Sequence, residues 1–273
     1  MTLPRLSWVW VTAYDWRACA RAIARAFDAG DEHVIGWSFE GITWGGGRFT
    51  PPHEVQDFAY DVWRELRWPS ERYEEVRARM RFVLGDFYTP ALDTATNETC
   101  ERNALTHVAR PGWIVTMDSD EEIVNLPEFL HFVGDKPVEP HLTWLGTSCA
   151  VYKVIGDVAL VAMWQATPVM LGRPGAFVGP RAPQPPTQLS PMRFINWFLA
   201  QDDGTDRSDD EVRLKLESTC HLYTDRADVF ARWKATTLGN FTTLKGIGGN
   251  YPGVRLQAIS VADLRAGRWA VLK

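Results

Sequence analysis

At 273 residues, with 45% hydrophobic and 23% charged side chains, the chain has the make-up of a soluble globular protein large enough to bury a full core, which excludes an intrinsically disordered one. A formal net charge of −5 excludes a global basic field of the kind that draws nucleic acid or anionic membrane, leaving only a local patch for that purpose. No apolar run approaches the roughly 20 residues that span a bilayer, and Cys19, Cys100, Cys149 and Cys220 stand too far apart for a zinc knuckle or a Cys-x-x-Cys redox pair. With no signal peptide, a reducing cytoplasm is expected.

Residues 6–13 read as a first buried strand. Asp15 starts a helix on which Trp16, Ala20, Ile23, Ala24 and Phe27 share one face and Arg17, Arg21 and Arg25 another, and Gly30 ends it. Residues 33–38 form a second strand, so the opening is a βαβ unit, which implies a parallel sheet with its ligand edge beyond the strand ends. Gly45-Gly46-Gly47-Arg48 is a flexible turn, since no Lys-Ser or Lys-Thr follows to make it a phosphate loop. Residues 53–81 predict two helices broken at Pro69-Ser70, with Arg and Glu on solvated faces, and residues 81–84 a third strand.

A helix over residues 97–105 then leads through Pro111-Gly112 to the apolar strand Ile114-Val115-Thr116-Met117, which stops at Asp118, Asp120, Glu121 and Glu122. Such close carboxylates repel one another in a low-dielectric site unless a cation or solvent compensates them. A hard divalent ion such as Mg²⁺ answers that need, and a solvated acidic turn is the plainer alternative. Downstream, residues 149–164 predict a β-hairpin turning at Gly156-Asp157. Residues 168–191, rich in Pro and Gly, predict an irregular segment, either an acceptor-side loop or a connecting linker. Ser208-Asp209-Asp210-Glu211 opens a helix as a capping box, and Asp225-Arg226-Ala227-Asp228 opens another.

The run from Asn97-Glu98-Thr99-Cys100-Glu101-Arg102-Asn103 through Trp113-Ile114-Val115-Thr116-Met117-Asp118-Ser119-Asp120 resembles the family 2-like glycosyltransferases of the GT-A fold, in which an Arg-Asn-bearing helix precedes a strand ending in Asp-x-Asp. A weaker likeness covers Arg207 to Leu216, His221 and Trp233-Lys234. The resemblance implies an α/β GT-A fold with a mostly parallel central sheet. It also implies one domain over residues 1–273, its nucleotide and metal half at about 1–125 and an irregular acceptor half at about 126–273.

By that resemblance Thr12, Tyr14 and Asp15, with Trp37 and Ser38, lie where base and ribose of a nucleotide-sugar donor bind. The chain departs from the family there, with Gly36-Trp37-Ser38-Phe39-Glu40 in place of an acidic cluster and Gly-Ser. Asp118 and Asp120, with His221 as third ligand, would hold Mn²⁺ or Mg²⁺ against the leaving diphosphate; a helix-end cap is the alternative for His221. Arg102 and Asn103 would reach the donor sugar or order the Asp-x-Asp loop. An inverting reaction needs a base, for which Glu211, then Asp210 and Asp209, are candidates, although capping and the helix dipole also explain all three.

The expected activity is sugar transfer to an acceptor hydroxyl on a glycan, a lipid-linked sugar, a protein or a hydroxymethylated base in DNA. DNA would need a basic groove, for which Arg64, Arg67, Arg72, Arg77, Arg79 and Arg81 are the candidates. The rival classes are a metal-dependent phosphoester hydrolase or nucleotidyl transferase, and a nucleotide-sugar-binding module without turnover.

Overall fold

The computed structural model describes residues 5–51, 54–179, 181–201, 203–205, 207–218, 226–241 and 256–269. The opening βαβ unit is strand β1 (Leu6–Val11), helix α1 (Trp16–Ala26) and strand β2 (Glu32–Ser38). Helices α2 (Val55–Leu66) and α3 (Tyr73–Arg79) flank the expected break at Pro69, and β3 (Met80–Gly85) follows. Helix α4 (Thr94–Val108) precedes β4 (Trp113–Asp118), the short β5 (Glu121–Ile123) and helix α5 (Leu126–Gly134).

Strands β6 (Thr143–Ile155) and β7 (Val158–Leu171) form the expected hairpin, turning at Gly156 with φ +64°, a left-handed value that suits glycine. After them come β8 (Phe177–Gly179), β9 (Ala182–Pro183) and β10 (Thr187–Asn196), then α6 (Asp209–Ser218), α7 (Arg226–Ala235), β11 (Gln257–Ser260) and α8 (Val261–Arg265). The segment from Pro168 to Pro191 is therefore not wholly irregular as the sequence suggests. It holds the end of β7, the β8–β9 hairpin and the start of β10, and Pro191 falls in the register shift between Leu189 and Arg193, where the β6–β10 ladder is interrupted and no amide is required.

Nine described strands form one mixed sheet in the order β3-β2-β1-β4-β7-β6-β10-β5, with β11 against β7. The block β3-β2-β1-β4 is parallel throughout, and the remainder is mixed, β6 lying antiparallel to β7 and parallel to β10. Every residue of β1 is buried and all but Ser7 are apolar, as a strand covered on both faces requires. Leu6, Trp8 and Trp10 pack with the buried side of α1 (Cys19, Ala20, Ile23), with Phe58 of α2 and with Phe129 of α5, while Val9 and Val11 pack with Leu105 of α4 and with Phe177.

Strands β2 and β3 lie on one side of β1 and β4 on the other, so the direction of strand addition reverses between β1 and β4. In an open α/β sheet that switch point opens a crevice beyond the strand ends, where ligands bind. Residues Thr12 to Asp15 and Asp118 to Asp120 stand on its two sides. Among the described residues, no helix is long and apolar enough to cross a membrane.

Candidate functional site

Strands β1 and β4 are joined past their ends. The Ser119 amide donates to the Val11 carbonyl at 2.9 Å, and the Ser119 hydroxyl donates to Oδ1 of Asp15. Asp15 does stand at the N-cap of α1, but its side chain makes no cap hydrogen bond, because it is drawn across the switch point to Ser119 and toward Arg207 at 3.6 Å. Burial pushes its carboxyl up, against the lowering pull of Lys215, and the nearby Asp120 raises it further.

Asp118 ends β4 with a cation on each oxygen. Nη2 of Arg102 reaches Oδ1 at 2.6 Å, and the Arg181 guanidinium meets Oδ2. Burial alone would raise this carboxyl, yet Arg102, Arg181 and Lys215 hold it well below the usual carboxylate range. Arg102 is delivered by α4, whose Glu98, one turn earlier, takes its Nε at 2.9 Å. Glu121 completes the cluster, with Oε1 2.7 Å from Nη1 of Arg181 and Oε2 accepting the Asp118 amide at 2.8 Å.

Asp120 faces a different pair of cations. Lys215 lies 2.9 Å and Arg207 3.3 Å from its Oδ2, and the Asp120 carbonyl accepts the Trp197 amide at 2.9 Å, just past β10. Lys215 is aimed there by its helix: Val212 and Leu216, one turn apart, bury α6 against Tyr152, Phe198 and Trp233, which turns the intervening Lys215 toward the crevice. Three buried polar atoms at this point lack a hydrogen-bond partner: Oδ2 of Asp15, Oδ1 of Asp120 and Nε of Arg207. Such groups are costly to leave unmatched inside a protein, so two acceptors and a donor gathered at a switch point make a site for a polar ligand.

The carboxylates that sequence reasoning assigns to Mn²⁺ or Mg²⁺ do not fit a divalent ion as they stand. Both oxygens of Asp118 and one of Asp120 already carry basic side chains, whereas Mg²⁺ asks for an octahedron of oxygens. Among the described residues no group of three or more His, Cys, Asp or Glu could hold a metal ion. His221 lies outside the described residues.

No protein-family model and no curated protein matches the chain. Among solved structures it is similar to the inositol-1-phosphate CTP transferase from T. maritima, at 9% identity and a TM-score of 0.39, over 80% of this chain and 97% of that one. A likeness of that depth carries no argument about activity.

The remaining expected residues fall as follows. Thr12 donates its hydroxyl to the Gly36 carbonyl at 2.6 Å, tying β1 to β2, and Tyr14 meets Phe49 edge to face. Trp37 is not a base platform: it is buried edge-on against Phe58 and Phe82, because an apolar strand sends its large side chains into the core. Ser38 accepts the Ile42 amide. Asn103 does not face the crevice; both ends of its amide are bonded to the backbone of Phe177, each at 3.0 Å. Glu211 is engaged in the capping box, taking the Ser208 amide at 2.9 Å and hydroxyl at 2.8 Å; Asp209 pairs with Lys234, and Asp210 is 93% exposed beside Arg213.

Most of the arginines considered for a DNA groove are paired with acids, Arg64 with Asp61, Arg72 with Glu75, Arg77 with Glu74 and Arg79 with Asp28 and Glu75, which makes that face a solvated one. Sequence reasoning missed Arg181, Arg207 as a site cation, and the role of Trp44, whose indole donates to the buried Glu101.

Proposed function

We propose that this chain is a glycosyltransferase with a GT-A-like arrangement, binding a nucleotide-sugar donor at the β1–β4 switch point and transferring the sugar to an acceptor hydroxyl. The observation that supports this reading is the set of buried atoms there without a hydrogen-bond partner, Oδ2 of Asp15, Oδ1 of Asp120 and Nε of Arg207. A ribose hydroxyl or a base N–H would satisfy the two acceptors, and a carbonyl or phosphate oxygen the donor.

In the reaction the acceptor oxygen forms a bond to the anomeric carbon while the bond from that carbon to the diphosphate oxygen breaks. The bonding pair leaves with the nucleoside diphosphate, whose growing negative charge falls on the cationic side of the crevice. The acceptor proton goes to a carboxylate, and we assign it to Glu211, the first candidate by its position in the resembling motif, acting from within the capping box.

The test is chromatography of the chain incubated with uridine, guanosine, cytidine and thymidine diphospho-sugars. Release of nucleoside diphosphate from one of them, lost in Asp120→Asn, is the expected result. The reading is overturned if those donors stay intact while a nucleoside triphosphate and a sugar phosphate yield pyrophosphate, the signature of nucleotidyl transfer.

A further inference from the structure

A diphosphate leaving group needs positive charge, and the resemblance assigns that charge to a divalent ion that the carboxylates here do not fit. The buried carboxylates Asp15, Asp120 and Glu121 and the half-buried Asp118 already face Arg102, Arg181, Arg207 and Lys215. We propose that Arg181 takes the place of the metal, leaving Asp118 and Glu121 to grip the donor's diphosphate, so that donor binding needs no divalent ion. This rests on the donor reading above.

Arg181 is singled out by three observations. Its side chain is 23% exposed, whereas Arg102 is 2%, Arg207 4% and Lys215 11% exposed, so it is the cation of the four that a ligand meets first. Its present partners survive its departure. Asp118 keeps Arg102 at 2.6 Å, and Glu121 keeps the Asp118 amide at 2.8 Å and Nδ2 of Asn196 at 3.1 Å, so no buried carboxylate is orphaned when the guanidinium turns away. A forked guanidinium also grips a phosphate through two parallel hydrogen bonds, which an ammonium cannot do.

The third observation is its mounting. Arg181 lies at the turn between β8 and β9 with φ +50°, a left-handed backbone that costs a residue bearing a Cβ roughly 1 kcal/mol or more. The hairpin is clamped onto α4, with the Asn103 amide on both backbone groups of Phe177 and the Thr106 hydroxyl accepting the Gly175 amide at 3.0 Å, and it is closed at its base by the Ala176 carbonyl accepting the Gln184 amide at 2.7 Å. Such an anchored but strained turn fixes the backbone point from which the Arg181 side chain reaches the crevice. Asn103 is by this account a positioning residue for Arg181.

Calorimetric titration of UDP, GDP, CDP, ADP and TDP into the full chain, with Mn²⁺ and separately in EDTA, tests the proposal. The expected result is that at least one nucleotide binds in EDTA within about threefold of its affinity with Mn²⁺. Arg181→Ala should weaken it about tenfold or more and flatten its dependence on salt, and Arg181→Lys should fall between, because charge is kept and the fork lost. Arg181→Gln, which keeps a donor for Asp118, gives the same readout if the alanine variant fails to fold. Binding that appears only with Mn²⁺ overturns the metal-free role and leaves the donor reading standing. Equal affinity of parent and Arg181 variants in EDTA overturns the role of Arg181. Absence of any nucleotide binding under both conditions overturns the donor reading and this inference together.

Discussion

Trp44 donates its indole N–H to Oε2 of Glu101 at 2.5 Å across 57 residues of chain, and Oε1 of the same carboxyl is buried with no hydrogen-bond partner. Burial pushes the Glu101 carboxyl up to about 8, against the lowering effects of Trp44 and Arg102. The group therefore carries a proton at neutral pH in the fold and loses it in the unfolded chain. Its contribution to stability is complete below the ordinary value of 4.5 and is lost as pH rises through about 8. The unfolding free energy from urea titration should fall across that window, by an amount on the order of a few kcal/mol, and Glu101→Gln should flatten the fall. Parallel curves for parent and variant would mean that Glu101 is ionised in the fold.

The same carboxyl explains why residue 36 is glycine. A Cβ built there would stand 2.5 Å from Oε1 of Glu101 and 3.0 Å from Cδ1 of Leu105. Gly36→Ala should destabilise the chain by about 1–3 kcal/mol, the usual cost of overpacking. Combining it with Glu101→Ala, which opens the space, should recover part of the loss relative to the sum of the single changes. Simple additivity in thermal or urea unfolding would count against this contact.

Asn103→Ala removes two hydrogen bonds to Phe177 and should cost about 1–3 kcal/mol. The cost should be local, so hydrogen exchange of the amides of residues 176–184 should speed up more than that of β1 or β4. Nucleoside diphosphate affinity should fall with it if the hairpin carries Arg181 to the donor. Unchanged exchange in that segment would show that the hairpin is held by other contacts.

Glu211 serves in the capping box, and the base assigned above must act from that position. Glu211→Gln retains a side chain that the box accepts, so the unfolding midpoint should hardly move. Turnover should fall by roughly 10²–10⁴-fold if Glu211 takes the acceptor proton. Ser208→Ala should do the reverse, costing about 1 kcal/mol of stability with turnover nearly kept. Turnover of the Gln variant within a few fold of the parent would remove Glu211 from the chemistry.

The parallel block was legible because β1, β2 and β4 each carry a short, mostly apolar stretch followed by polar residues, and β4 ends in acid at the edge where the ligand crevice lies. The capping box at Ser208 and the hairpin at Gly156 were legible because both are local in sequence. The cations were not. Arg207 and Lys215 reach Asp120 from 87 and 95 positions away, contacts that depend on the β5–β10 pairing and on the packing of α6, and Arg181 sits in a segment whose Pro and Gly content hides its strands. A carboxylate cluster read without its distant partners looks like a metal site, because the sequence near Asp118 and Asp120 carries the acids and only Arg102 among the bases.

The most direct measurement is a crystal structure of the chain with the nucleoside diphosphate that raises its melting temperature most, grown in EDTA. The account predicts a ribose hydroxyl or base N–H within about 3.2 Å of Oδ2 of Asp15 or Oδ1 of Asp120, with the diphosphate against Arg181 at the end of β4. A nucleotide seated elsewhere, with Asp15 and Asp120 untouched, would contradict it.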